Sequence, residues 1–159
     1  MNSINIRKAE AEDCEVMMTF IKELALFEKA PNEVTLTAQQ LQKDGFSNKP
    51  AFEAYLAFIE EAPAGMALFY HRYSTWKGRT LYLEDLYVAT AHRGKGVAKS
   101  LMKKLSQTAI EENCERLEWQ VLEWNRNAIS LYESIGASLD SEWINGRLTP
   151  ETMTKLLES

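Results

Sequence analysis

Two adjacent carboxylates, Glu84 and Asp85, lie within an otherwise apolar run, LYLEDLYV, at residues 81–88. This composition is typical of a β-strand, in which successive side chains point to opposite faces. One carboxylate would then face a cleft and the other would face away from it, unless a β-bulge re-aims them. A carboxylate in a cleft can accept a proton from an amine or orient it. A solvated pair at a sheet edge, or a structural salt bridge, is the alternative.

A basic turn punctuated by glycines, Arg93-Gly94-Lys95-Gly96, follows this run and opens onto a helix. The first N–H groups of a helix have no partner within the helix, and the helix dipole favours negative charge there. Glycines let this backbone approach a phosphate without an intervening Cβ, and Lys99 adds a further positive charge. The turn therefore predicts a phosphate-bearing ligand. A basic helix start that the glycines only shape is the alternative.

Two common phosphate-binding motifs do not fit this turn. Counted from Gly94, the second glycine of a G-x-x-x-x-G-K-[ST] loop would fall at Lys99. The third glycine of a G-x-G-x-x-G dinucleotide fingerprint would fall at the same lysine, and the preceding strands lack the βαβ context of that motif. The turn does match a third pattern, R/Q-x-x-G-x-G/A, at residues 93–98.

Composition and charge argue against several other classes of function. A net charge of −5 is unfavourable for a nucleic-acid partner. No run approaches the roughly 20 apolar residues of a membrane span, and the N-terminus lacks the apolar core of a signal peptide, so we expect a cytoplasmic protein with no membrane partner. The only histidines, His71 and His92, form no cluster of metal-ligand spacing with Cys14 or Cys114, so no metal is predicted.

Apolar periodicity predicts an α/β (α+β) protein with the order β-α-α-β-β-β-α-β-α-β, whose three central strands form an antiparallel meander. Pro63 and Gly65 are expected to make the first turn of the meander. In the tail, Asn145-Gly146 predicts a hairpin, and Thr149-Pro150 predicts the start of a last short helix. The predicted strands are 3–7, 51–60, 64–73, 79–88 and 116–124, and the main predicted helices are 13–27, 96–112 and 125–136. Thr37, with Gln40 three residues later, has the capping-box pattern that predicts the start of a further short helix.

Three consecutive segments resemble the diamine acetyltransferase branch of the GNAT family of N-acetyltransferases: YSTWKGRTLYLEDLYV, HRGKGVAKSL and VLEWNRNAISLYESIGAS. The pattern at residues 93–98 is that family's cofactor signature, and the likeness covers nearly the whole chain, which favours one domain over 1–159. Tyr73-Ser74-Thr75-Trp76 departs from the Tyr-Asp-Pro-Trp of the spermidine/spermine enzymes. It is similar instead to the type that prefers thialysine, a lysine analogue.

The resemblance implies a mixed, mostly antiparallel central sheet, splayed open, with helices on both faces and acetyl-CoA in the gap. The backbone of the strand that ends at Val88 would pair with the pantetheine arm, and residues 94–99 would hold the pyrophosphate. The resemblance also implies a homodimer. The implied cofactor-binding residues are Leu86, Tyr87, Val88, Arg93, Gly94, Lys95, Gly96, Val97, Ala98, Lys99, Asn125, Arg126, Asn127, Ala128 and Tyr132.

The implied reaction is direct attack of a primary amine on the thioester in a ternary complex, without a metal or a covalent enzyme intermediate. A lysine-like amine has a pKa of ~10.4 and is mostly protonated at pH 7, so we expect Glu84 to act as the base, directly or through water, or to orient the amine. The sequence pattern around Tyr132 alone predicts a core tyrosine. The resemblance aligns it instead with the family's general acid, which protonates the leaving thiolate. The implied substrate-binding residues are Phe27, Glu28, Trp76, Glu84, Asp85, Glu118, Trp119, Gln120 and Glu142.

Two alternatives to this function stay open. The same chemistry could act on an amine of a protein or of an antibiotic. A catalytically silent module that binds acyl-CoA is the other, and loss of Glu84 and Tyr132 would mark such a module; both residues are present.

Overall fold

Five strands form one sheet in chain order in the computed structural model, which describes residues 3–159. The first four strands pair antiparallel, and the fifth runs parallel to the fourth. The mixed, mostly antiparallel sheet expected from the sequence is confirmed. The strands are β1 (Ile4–Lys8), β2 (Glu53–Ile59), β3 (Ala62–Ser74), β4 (Gly78–Val88) and β5 (Arg116–Trp119).

The described residues fall into two compact units, one that ends at Gln120 and one that comprises Val121–Ser159. The expectation of one domain over 1–159 stays a prediction. The first unit holds the sheet and the helices α1 (Cys14–Phe27), α2 (Ala38–Gly45) and α3 (Val97–Glu111), with short 3-10 turns between them. The second unit holds α4 (Arg126–Ser134) and α5 (Pro150–Leu157).

Helices α1 and α2 cover one face of the sheet. Met17 and Phe20 of α1 belong to one buried cluster with Leu56 and Met66 of the sheet, and Leu41 of α2 joins the same cluster. The start of α2 follows the sequence prediction, because the Thr37 side chain accepts a hydrogen bond from the backbone of Gln40 at 3.1 Å.

Helix α3 lies against the opposite face of the sheet. Tyr55, next to Leu56 on β2 and therefore on the other face, shares a 2.8 Å hydrogen bond with Thr108 of α3. Leu101 and Leu105 of α3 are fully buried. The expected helices on both faces are thus present, and α3 starts against the sheet at the point where the glycine turn ends.

The turn between β2 and β3 differs from the prediction. It is made by Glu60 and Glu61, whose φ angles of 48° and 66° lie in the left-handed region and match the primed turns of tight hairpins. Pro63 and Gly65 lie within β3. Gly65 is needed for close packing, because a Cβ there would lie 2.7 Å from the carbonyl oxygen of Tyr87 and 2.9 Å from Val97.

The predictions for the chain after β4 were correct for the helices, correct for the start of β5 and wrong for the tail hairpin. The strand expected over 116–124 ends at Trp119, and the hairpin at Asn145-Gly146 does not form, since residues 137–149 contain no strand. Trp143 and Ile144 of that segment are 78% and 96% exposed, so these large apolar side chains do not form the buried face that stabilises a hairpin. Among the described residues, no helix is both long enough and apolar enough to cross a membrane.

Candidate active site

Strand β4 loses one of its two neighbours halfway along its length. Strand β5 pairs only with Thr80–Leu83, whereas β3 pairs with β4 as far as Val88. Among the described strands, residues 84–88 therefore have a partner on one side only. The opening of the sheet that the resemblance implied is present at this point.

The open edge presents backbone groups of Leu86 and Val88. The N–H of Ala89 donates to the carbonyl of Ala64 at 2.9 Å, and hydrogen-bonded pairs alternate along an antiparallel ladder. The backbone groups of Tyr87 therefore face β3, and those of Leu86 and Val88 face the open edge. Such an edge can pair with an extended ligand in the manner of an added strand.

The side chain of Arg93 folds back onto this edge. Its Nε donates to the carbonyl oxygen of Val88 at 3.2 Å, and its guanidinium lies 5.3 Å from the ring centre of Phe27 and 5.8 Å from that of Tyr87. Arg93 therefore binds the strand and packs beside the end of α1.

A β-bulge at the two carboxylates interrupts the regular alternation of side chains between the faces of the sheet. Leu83 pairs with Phe69 and Asp85 pairs with Leu68, which leaves Glu84 as the extra residue on β4. This is the bulge that the sequence allowed as an exception to alternation. The exposed Glu84 side chain accepts a 3.1 Å hydrogen bond from the hydroxyl of Tyr70 on β3.

Asp85 has an environment unlike that of its exposed neighbour. Burial raises its pKa to about 6, and the negative charges of Glu84 and Glu28 add to the effect. Burial also raises the pKa of Glu28, which directly follows α1. The negative charges of Glu84 and Glu28 thus both act on Asp85 beside the open edge, and a bound cation would offset them.

The glycine turn leaves its backbone accessible. Gly94 and Gly96 have φ angles of 74° and 86°, which favour glycine, and a Cβ at either would meet no atom within 4 Å. The N–H groups of Val97, Ala98 and Lys99 open α3 without partners in the helix. The Val97 side chain is buried and anchors the helix start, whereas the side chains of Lys95 and Lys99 are exposed.

Trp76 lies far from the carboxylates within this chain. It is 80% exposed in the turn between β3 and β4, and the stretch of β4 from Gly78 to Glu84 spans about 20 Å. Ser74, which distinguishes this sequence from the spermidine/spermine type, stabilises that turn. Its hydroxyl oxygen accepts hydrogen bonds from the backbone N–H groups of Trp76 and Lys77 at 3.2 and 3.1 Å.

Glu118 on β5 is engaged by two arginines. One of its carboxylate oxygens lies 2.7 Å from Nε of Arg116, and the other lies 3.8 Å from Arg72. Its charge is therefore largely balanced within the protein. Its neighbour Trp119 is half-buried and ends the strand, and Gln120 is exposed just beyond it.

The remaining predicted residues belong to the second unit. Asn125 caps α4, since its side-chain oxygen accepts the N–H of Ala128 at 3.3 Å. Arg126 and Asn127 are exposed in the first turn of the same helix. Tyr132 is buried, with 6% of its surface exposed, and Glu142 lies in the exposed segment between α4 and α5.

Sequence reasoning missed Tyr70 as the partner of Glu84, because the bulge that brings them together depends on cross-strand register. It also missed a cluster of Glu53, His71 and Glu112, each of which offers one ligand atom within 4.8 Å of the others. This cluster carries its own balancing charges. Lys8 forms an ion pair with Glu53, and His71 contacts Glu112.

Comparison with known proteins agrees with this geometry. Residues 17–137 match the model of the Acetyltransferase (GNAT) family. Thialysine N-epsilon-acetyltransferase from Mus musculus is 38% identical, with 98% of each chain covered. The protein of the same name from Caenorhabditis elegans is 45% identical over 85% of this chain and 83% of its own. Spermidine/spermine N(1)-acetyltransferase-like protein 1 from Homo sapiens is 39% identical over 89% of this chain and 22% of its own.

Two solved structures show the same fold. An integron cassette protein from the mobile metagenome of V. cholerae superposes with a TM-score of 0.79 at 28% identity, with 99% of both chains covered. An aminoglycoside N-acetyltransferase in complex with CoA has a TM-score of 0.72 at 15% identity, over 93% of this chain and 96% of that one. A family match of this extent, with full-length relatives that are acetyltransferases, shows that the chain is an acetyl-transferring enzyme and belongs to the GNAT family.

Proposed function

We propose that this enzyme transfers acetyl from acetyl-CoA to a primary amine of a small cationic substrate, a thialysine-like lysine analogue or a polyamine, in a ternary complex. The observation that carries the proposal is the group of three carboxylates, Glu28, Glu84 and Asp85, beside an unpaired strand edge. Mutual repulsion makes such a group a favourable site for one or two ammonium groups. The relatives named for thialysine and spermidine/spermine support the same substrate class.

The residues at the open edge fit the cofactor. The outward backbone groups of Leu86 and Val88 can pair with the amides of the pantetheine arm, and the carbonyl of Val88 has a second lone pair besides the one used by Arg93. The open backbone from Gly94 to Lys99 suits the pyrophosphate. We assign Asn125, Arg126, Asn127, Ala128 and Tyr132 to the cofactor on the resemblance alone.

The proposed chemistry needs one base and one acid. Glu84 takes a proton from the substrate ammonium, directly or through water, so that the free amine can attack the thioester carbonyl. Attack forms the C–N bond, and the nitrogen then releases its second proton to solvent. The C–S bond breaks as the tetrahedral intermediate collapses, and Glu84 returns its proton to solvent before the next cycle. Tyr132 gives its hydroxyl proton to the departing sulfur and regains one from solvent.

Asp85 and Glu28 are the preferred contacts for a second cationic group. Burial raises the pKa of both carboxyls, and a bound ammonium would favour their ionised forms. Glu118 contributes less, because Arg116 and Arg72 already balance its charge. Phe27, Trp76, Trp119, Gln120 and Glu142 stay predicted substrate contacts, and a homodimer and a cytoplasmic location stay predictions of the sequence.

Release of CoA from acetyl-CoA tests the proposal against a panel of amines: thialysine, lysine, spermidine, spermine, putrescine, a lysine peptide and an aminoglycoside. We expect turnover with the small di- and polyamines and lysine analogues, above a control without amine. Turnover with only the peptide or the aminoglycoside would transfer the proposal to that substrate. Tight acetyl-CoA binding without turnover of any amine would favour a silent acyl-CoA-binding module.

The assignment of Tyr132 has its own test. Tyr132→Phe should lower kcat about 10²-fold, the usual scale for loss of a general acid, while the affinity for acetyl-CoA stays near that of the wild type. An unchanged kcat would remove Tyr132 from the proposed mechanism.

A further inference from the structure

Tyr70 joins the face of the sheet that carries Glu84. It lies on β3 opposite Tyr82 of β4, two positions along β4 from the bulge. Its hydroxyl donates to Oε2 of Glu84 at 3.1 Å. Tyr70 therefore binds the side chain that we propose as the base. Neither the motif match nor the resemblance indicated this contact.

The ring of Tyr70 is held in place by its neighbours. Its centre lies 5.3 Å from that of Tyr82, at an interplanar angle of 38°. The guanidinium of Arg72 lies 5.0 Å above the Tyr82 ring, and Arg72 in turn approaches Glu118 on β5 at 3.8 Å. The contact with Tyr82, which Arg72 covers in turn, therefore limits the orientations open to the Tyr70 ring and its hydroxyl.

Glu84 needs such support because of the bulge. As the extra residue on β4 it has no cross-strand partner, and its exposed side chain has several rotamers open to it. A base that samples several positions spends little time within reach of the substrate proton, and small displacements of catalytic groups cost large factors in rate.

We propose that Tyr70 is a positioning residue for acetyl transfer, whose hydroxyl holds the Glu84 carboxylate in the orientation that accepts the proton of the amine. This inference rests on the proposed role of Glu84. Burial and the nearby charge of Glu84 raise the pKa of Tyr70 to about 12, so the hydroxyl keeps its proton and remains a donor throughout the pH range of an amine acetyltransferase assay.

Tyr70→Phe removes the hydroxyl and keeps the ring that packs on Tyr82. We expect kcat to fall roughly tenfold, with the KM for acetyl-CoA and the midpoint of thermal unfolding unchanged. Tyr73→Phe is the matched control, since Tyr73 lies on the same strand and is 75% exposed; it should leave kcat unchanged.

The combination with Glu84→Gln separates positioning from a general structural role. If Tyr70 acts through the carboxylate, Tyr70→Phe should cost no further activity in the Glu84→Gln enzyme. An equal tenfold loss in both backgrounds, or an unchanged kcat for Tyr70→Phe alone, would overturn the inference.

The same set of enzymes distinguishes this inference from the proposed function. A slow Glu84→Gln enzyme together with an unaffected Tyr70→Phe enzyme would overturn only the role of Tyr70. A fully active Glu84→Gln enzyme would overturn the role of Glu84, and the role of Tyr70 with it. Wild-type enzyme that turns over no amine would overturn the proposed function itself.

Discussion

The two halves of β4 each contain a Leu-Tyr pair, Leu81-Tyr82 and Leu86-Tyr87, but these pairs have different surroundings. Thr80–Leu83 lies between β3 and β5, and each of its four side chains is at most 8% exposed. Glu84–Val88 has only β3 beside it among the described strands, and only Tyr87 of its side chains is buried. The two carboxylates that we assign to proton transfer and substrate binding, Glu84 and Asp85, lie in the second half, where β5 no longer pairs with β4.

The contrast shows how this fold separates stability from function. The backbone groups of the paired half form hydrogen bonds within the sheet. This half can therefore belong to the core. The open half leaves backbone donors and acceptors at an edge, which is a liability unless something covers it. Arg93 covers part of that edge through the Val88 carbonyl, and we propose that the cofactor covers the rest.

The largest expected effect is on the free energy of unfolding, when one leucine in each half of β4 is replaced by alanine. Leu81→Ala leaves a cavity at a fully buried position, and we expect it to lower the free energy of unfolding by about 3 kcal/mol. Leu86→Ala removes a half-buried side chain and should cost less than about 1.5 kcal/mol. Urea denaturation followed by circular dichroism measures both. Equal losses would show that the open half belongs to the core as much as the paired half.

The carboxylate at the bulge should matter for rate and not for stability. Glu84→Gln should lower kcat about 10²-fold, which corresponds to about 2.7 kcal/mol of transition-state free energy. The free energy of unfolding should not fall, because the variant removes a charge that repels Asp85. Glu111→Gln, an exposed carboxylate on α3, is the control and should keep full activity. Full activity in Glu84→Gln would contradict its proposed role.

The second carboxylate should matter for stability in a pH-dependent way. The pKa of Asp85 is raised to about 6 because the folded state disfavours its ionised form. The contribution of this group to the free energy of unfolding therefore falls as the pH rises from about 4 to about 6. Asp85→Asn should therefore raise the free energy of unfolding at pH 7 by about 1–2 kcal/mol and have little effect at pH 4. Denaturation of both proteins at several pH values tests this.

The exposed Asp140 supplies the control for that series. Asp140→Asn should change stability little at any pH. A gain for Asp85→Asn that is as large at pH 4 as at pH 7 would exclude ionisation as its cause.

The smallest expected effect concerns the turn that follows the open half. Gly96→Ala and Gly136→Ala each place a Cβ at a φ near +90° in open space, so both should cost about 1 kcal/mol of stability. Only Gly96→Ala should also weaken acetyl-CoA binding, by about tenfold in isothermal titration calorimetry. Equal affinities in the two variants would argue against the turn as the pyrophosphate site.

Much of the local structure could be predicted from the sequence. The cap at Thr37, the helix that opens at Val97 and the Pro150 helix start depend on residues within one or two turns of one another, so their signals are complete in a short window. The pair Glu84-Asp85 and the pattern at residues 93–98 are likewise contiguous, and the resemblance that identified the family is carried by three such segments.

Other features depended on strands far apart in the chain. Strand β5 ends at Trp119, although apolar residues continue to Trp124, and the turn at Glu60-Glu61 lacks the glycine or asparagine that usually marks such a turn. Pro63 and Gly65 were assigned to that turn because turn composition does not show how closely another strand and helix will approach.

The sequence by itself determined the family, the α/β class and the residue types available for acetyl transfer. Only the tertiary structure decided that the bulge falls at Glu84, that Tyr70 binds that carboxylate, that burial raises the pKa of Asp85 and that Arg93 turns back onto Val88. The physical reason is that register, burial and charge proximity are set by contacts between elements, whereas helix caps, glycine turns and motifs are set by neighbours along the chain.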